Sequence, residues 1–223
     1  MTRQALRVGG LGPALVLAMA LVPAMIGPAL ADPDGSPAFA SYLGACTADI
    51  GGGSEPGLAA GVRILRDRRR PGFQFTGGVE YLQKIGTGEL RSSNALDLTD
   101  TSLGEGRVTL HTVHGFGGAE YAIVQGPWRI APYAGAGVSL LIEQSADVAG
   151  DPELDWYNAI DVDVNFGVAI AWERLLVDAQ VSFGLRSLYE GTSDLVGHGG
   201  VYPAFTDFDQ TARSWRVGMG YQF

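Results

Sequence analysis

The 223-residue chain carries one cysteine, Cys46, and three histidines. A single cysteine excludes an intramolecular disulfide framework and any multi-cysteine metal site. Charged residues make up 17% of the chain, low against the ~25% of ordinary soluble domains. The charge leans acidic, with a formal net of −9, so no basic face remains to neutralise nucleic-acid phosphates. No G-x-S-x-G elbow and no H-E-x-x-H helix occurs, which removes two common signatures of hydrolytic catalysis. Past residue 31 there is no apolar run of helical spanning length. Against these shortages stand 46% hydrophobic residues and 33 glycines. The first excludes wholesale disorder, and the glycines follow no three-residue period, which excludes collagen.

The first 31 residues read as a secretory signal rather than as fold. Arg3 and Arg7 are the only charges before Asp32. An uncharged stretch from Leu11 follows and closes on Ala29-Leu30-Ala31, small residues of the kind a signal peptidase reads. Pro13, Pro23 and Pro28 argue against a retained membrane helix. Removing 31 of 223 residues leaves 192, and losing two arginines moves the formal charge from −9 to −11. The domain division is therefore 1–31 signal and 32–223 mature domain. Leu43-Gly44-Ala45-Cys46 has the look of an acylation box, but polar Asp32, Asp34 and Ser36 separate it from the apolar run. Cys46 reads as a small apolar residue on a strand face.

The mature chain alternates. From Trp128 to Ile142 all eight even positions are apolar, and from Trp156 to Trp172 eight of nine are. Leu175, Val177, Ala179, Val181, Phe183 and Leu185 continue the pattern on odd positions. A period of two is that of a β-strand with two chemically different faces. Eight such segments run over about 40–50, 56–67, 71–86, 106–124, 128–144, 156–173, 174–189 and 211–223. The fourth has Val108 and Leu110 even but Ala119, Tyr121 and Ile123 odd, which predicts a phase-changing bulge near His114-Gly115. Tight turns (66–71, 124–128, 173–174) alternate with long polar connections (86–106, 144–155, 189–211). That asymmetry predicts an all-β, eight-stranded antiparallel up-and-down transmembrane barrel, with short periplasmic turns and external loops.

A soluble barrel would alternate equally well with its apolar face inward. Three features favour apolar-outward. Trp128, Trp156, Trp172, Trp215 and Tyr221 bracket the apolar faces as an aromatic girdle would. The other face is small or charged, as suits a narrow packed interior. The last strand reads Trp215, Val217, Met219, Tyr221, Phe223, an alternating aromatic ending of the kind expected of an outer-membrane insertion signal.

Several motifs resemble the outer-membrane protein beta-barrel family, the PorT-like group. Phe75 to Gly88 (FTGGVEYLQKIGTG) is similar to its third-strand region, and Ala131-Pro132-Tyr133-Ala134-Gly135-Ala136-Gly137 to its fifth strand. Asp163 to Glu190 resembles its sixth and seventh strands, and Arg213 to Phe223 its closing strand. The resemblance covers nearly all of the mature chain. It implies an eight-stranded barrel with a cell-envelope role, and carries no catalytic residues across.

The inward set is expected to comprise Arg63, Glu80, Lys84, Glu143, Asp161, Asp163, Asp178, Arg186 and Arg216. At eight strands the interior holds side chains only, and buried charges must be paired or hydrated, so these residues predict a salt-bridged plug. The basic turn Arg66-Asp67-Arg68-Arg69-Arg70 falls where anionic headgroups would lie. Asp151-x-Glu153-x-Asp155 lacks the glycine and distal Glu of a calcium loop. His111 and His114 differ by three and point to opposite faces of an unbroken strand; His198 sits in a glycine-rich loop. The resulting expectation is a non-enzymatic outer-membrane barrel with a structural, adhesive or loop-mediated role, without cofactor. Its partners are expected to be outer-membrane lipid, the barrel assembly machinery and an extracellular ligand of loops 86–106, 144–155 and 189–211. The alternatives are a lipid-modifying enzyme and a narrow solute channel.

Overall fold

The computed structural model describes residues 38–50, 53–65, 70–94, 99–147, 159–187, 200–203 and 211–223. The proposed signal peptide, Trp156, the Asp151–Asp155 segment and His198 lie outside the described residues. Ten strands form one sheet: β1 (Ala38–Asp49), β2 (Gly53–Glu55), β3 (Gly57–Leu65), β4 (Gly72–Asn94), β5 (Thr99–Gln125), β6 (Trp128–Asp147), β7 (Ile160–Trp172), β8 (Leu175–Ser187), β9 (Gly200–Pro203) and β10 (Thr211–Gln222). All pairings are antiparallel. They run β1 to β3, then through β4, β5, β6, β7 and β8 to β10, and β10 returns to β1. The sheet thus closes into a ring, which leaves the strands of the ring without a free edge.

The two short strands both add to β4. Gly53–Glu55 pair with Ile85–Thr87, directly beyond the β3 pairing, so β2 continues β3 across Pro56. Proline has no N–H to give to the ladder, which accounts for the break. β9 pairs with residues 90–93 of β4, past the end of β2.

One rim carries the tight connections. Gln125 pairs with Trp128 and Trp172 with Leu175, leaving two-residue turns. Gly126 and Glu173 adopt φ of 60° and 53° there, the left-handed region that two-residue hairpin turns require. The turns are tied together: the Glu173 N–H donates to the Pro127 carbonyl at 3.0 Å. The opposite rim is uneven. β4 and β5 have 23 and 27 residues against 13 in each of β7 and β8. The connection expected over 86–106 is therefore mostly strand: β4 and β5 stay paired out to Asn94 and Thr99. Polar residues there hide the strand from a pattern search, because neither face of that hairpin alternates with an apolar one.

The expected bulge near His114-Gly115 does not occur. The even positions of β5 from Val108 to Phe116, then Glu120 and Ala122, are all buried, so the strand keeps one phase. Val108 and Leu110 are apolar residues on the inner face rather than markers of a phase change. The irregularity lies on β6 instead. His111 pairs with Glu143 but Thr112 with Leu141, leaving Ile142 as the extra residue. Because paired residues share a face, this shift turns Glu143 to the outer face with His111, and not inward as expected.

Apolar side chains cover the outside. Phe73 is 82% exposed, and Ile130, Phe166, Val177, Val217 and Met219 are also exposed, whereas Arg63, Glu80 and Asp178 inside are 0% exposed. Small apolar residues (Ala40, Ala122, Ala131, Ala169, Ala171, with Leu65 and Leu176) fill the interior toward the tight-turn rim. A second inner cluster joins Cys46, Ala59 and Leu82; the Cys46 thiol donates to the Gln83 carbonyl at 3.1 Å.

Candidate functional site

The interior between these two apolar clusters holds the chemistry. Strand alternation aims every second side chain at the axis, and the ring brings residues from all eight of its strands together. Asp178 of β8 is one centre. Its Oδ2 accepts from Arg63 Nη1 and from Arg216 Nη2, each at 3.0 Å, and its Oδ1 lies 3.0 Å from the Tyr133 hydroxyl. Arg63 continues to Glu120 Oε2 at 3.1 Å and donates from Nε to the Thr76 hydroxyl at 3.0 Å. Glu120 shares its other oxygen with Arg129.

Glu80 of β4 is the second centre. Arg216 Nε lies 2.8 Å from its Oε2, the Tyr42 hydroxyl donates to the same oxygen, and His114 Nδ1 is 2.7 Å from Oε1. His114 Nε2 faces Asp163 Oδ2 at 3.0 Å. Arg216 thus joins the two centres through one guanidinium. Two rings cap the arginines: Arg63 lies 4.0 Å from the Tyr133 ring centroid and Arg216 4.5 Å from that of Tyr42. Cation–π contacts of this kind gain strength when desolvated.

Glycines make room for these side chains. A Cβ on Gly137 would meet His114 Nε2 at 2.0 Å, and one on Gly167 would meet the Tyr133 ring at 2.3 Å. Both strands are held open by residues without a side chain at the points where a ring crosses them.

Of the expected inward residues, Arg63, Glu80, Asp163, Asp178 and Arg216 meet in this network, and Lys84 is buried alongside it. Asp161 is half-buried. Glu143 lies on the outer face, as described above, and the Arg186 side chain is outside the described residues. Sequence reasoning missed Tyr42, His114, Glu120, Arg129, Tyr133, Asn165 and Gln180, all buried inside. A usable signal existed for two of them: Arg129 and Tyr133 lie on the odd positions of β6, opposite its apolar even face.

Tryptophans and Tyr221 of the outer face lie toward the two rims, while Phe166 lies midway along β7. Trp128 and Trp172 stack with centroids 6.1 Å apart at the tight-turn rim, where Arg174 donates to the Tyr221 hydroxyl at 2.9 Å. Trp215 is exposed near the other end of β10, and Val217 and Met219 are exposed between it and Tyr221. Phe223 follows the strand, its N–H donating to the Phe39 carbonyl at 2.8 Å.

The histidines divide as their spacing implies. His114 is inside, held between two carboxylates, while His111 is outside and bonded to the Tyr81 hydroxyl. Among the described residues no group of three or more His, Cys, Asp or Glu is placed to hold a metal ion.

No protein-family model matches the chain, and no curated protein does. Several solved structures are similar in shape. Ail, the attachment invasion locus protein of Yersinia pestis, solved in complex with the heparin analogue sucrose octasulfate, is 12% identical with a TM-score of 0.39, covering 84% of this chain and 97% of that one. Neisserial surface protein A is 16% identical with a TM-score of 0.41, covering 83% and 95%. A major outer membrane protein from Thermus thermophilus is 15% identical with a TM-score of 0.45, covering 84% and 99%.

Proposed function

We propose that this chain is an eight-stranded outer-membrane β-barrel without enzymatic activity, stabilising the envelope and presenting its long rim to extracellular ligands. The observation that carries this reading is the inversion of the barrel: a fully buried, ion-paired interior inside an exterior of exposed apolar side chains. In water such an exterior would be a continuous aggregation surface; in a bilayer it is the lipid-facing band. The aromatic residues at the two rims suit headgroup-level girdles, and the motif resemblance to the outer-membrane protein beta-barrel family points the same way. On this reading the first 31 residues are a secretory signal and the tight-turn rim is periplasmic. The barrel assembly machinery inserts the chain.

The interior supports a plug rather than a pore. Each buried carboxylate among the described residues has an arginine, imidazole or hydroxyl partner, and arginines bridge neighbouring carboxylates across the axis. Ligand contact belongs to the long rim, where the β4–β5 hairpin with β9 on its edge extends the sheet beyond the ring.

The test is fractionation followed by detergent extraction. The account expects the protein in the outer-membrane fraction, and a band that shifts on a gel between unheated and boiled samples. Recovery in the soluble periplasmic fraction would contradict it.

A further inference from the structure

A cavity of about 980 Å³ opens at the tight-turn rim, between the β5–β6 turn, the β7–β8 turn and the end of β10. It lies at the upper end of the ~300–1,000 Å³ range of small-molecule sites. Two of its lining residues are buried donors with unused N–H groups. Arg129 is 3% exposed; one nitrogen pairs with Glu120, while Nε and Nη1 have no partner among the described residues. Gln222 is 1% exposed and its Nε2 has none either. Buried polar groups are ordinarily paired, so two unpartnered donors from different strands lining one cavity point to an acceptor that belongs there.

The charge around them selects the acceptor's sign. Glu120 divides its two oxygens between Arg129 and Arg63, so Arg129 is only half neutralised. Arg174 adds a second guanidinium to the lining, and Glu173 is the one carboxylate among its described lining residues. The donors approach from β6, from β10 and from a turn, so they suit an anion with oxygens in several directions, as in a phosphate group, better than a planar carboxylate. The apolar share of the lining faces outward: Trp128, Trp172 and Tyr221 sit beside the cavity on the outer face.

We infer that this rim cavity binds a phosphate group, held by Arg129, Gln222 and Arg174, with the phospholipid headgroup of the adjoining leaflet as its source. The lipid source rests on the membrane-spanning reading above; the phosphate chemistry does not. Bound there, the phosphate accepts from Arg129 inside and Arg174 at the rim, while the acyl chains run out over the stacked tryptophans.

The experiment is native mass spectrometry of the full chain in a nonionic detergent, titrated with dioleoyl-phosphatidylglycerol or with phosphate-free dioleoylglycerol. A parallel ³¹P NMR titration uses inorganic phosphate. The expected result is one retained phosphatidylglycerol, no retained dioleoylglycerol, and weakening of roughly tenfold in Arg129→Gln, as loss of a charged hydrogen bond implies. Arg174→Gln, an exposed change that spares the interior, weakens binding less but measurably. If millimolar phosphate displaces the lipid or gives its own Arg129-dependent response, the site reads phosphate from either source. Equal retention of both lipids, or retention unchanged in both variants, with no ³¹P response, would overturn the inference. A chain that proves soluble without detergent contradicts the membrane reading alone, and the phosphate titration then tests the cavity directly.

Discussion

Gly137 and His114 are fitted to each other across the β5–β6 seam. A Cβ on Gly137 would stand 2.0 Å from His114 Nε2, the nitrogen that faces Asp163 at 3.0 Å. The imidazole therefore reaches Asp163 only because position 137 has no side chain. Gly137→Ala is expected to push His114 off Asp163 and destabilise the barrel by about 1–3 kcal/mol, the usual cost of overpacking. Gly115→Ala on the same strand pair is the control, because a Cβ there meets nothing within 4 Å. Urea unfolding in micelles compares them, and equal midpoints for both variants and the parent would refute the fit.

Asp178 holds two arginines and a tyrosine. Asp178→Asn leaves both guanidiniums without their shared anion, and breaking a buried pair by removing one partner costs about 3–5 kcal/mol. Arg63→Met added to that variant is expected to recover part of the loss, since it removes one of the two cations Asp178 neutralised while Arg129 still serves Glu120. Strictly additive losses in the double variant would count against a coupled network.

The same network bears on permeation. Arg63 and Arg216 cross the interior to carboxylates of β4, β5 and β8. Planar-bilayer recordings of the purified protein are expected to show no stable conductance. Regular single-channel steps would contradict the plug and favour a narrow solute channel.

The strands were legible in the sequence because half-buried strands write a period of two, and the ring strands lie within a few residues of the expected segments except where polar hairpins lengthen them. Two features were illegible for physical reasons. The inner face of β5 mixes Val108, Leu110 and Phe116 with His114 and Glu120, so hydrophobicity does not report which side is in. The outer half of the β4–β5 hairpin has no apolar face at all. The interior pairing was hidden for a third reason: Asp178 and Arg63 are 115 positions apart, and their meeting depends on ring closure and register. Glu143 misled because Ile142, one extra residue in β6, reverses its face.

The central claim is that the exposed apolar exterior faces lipid. Phe166, 49% exposed in the middle of β7, tests it most directly. Phe166→Arg should cost about 2–4 kcal/mol of folding free energy in phosphatidylcholine vesicles, the penalty for an arginine near the bilayer midplane. A change within about 0.5 kcal/mol, ordinary for a water-exposed position, would contradict the account.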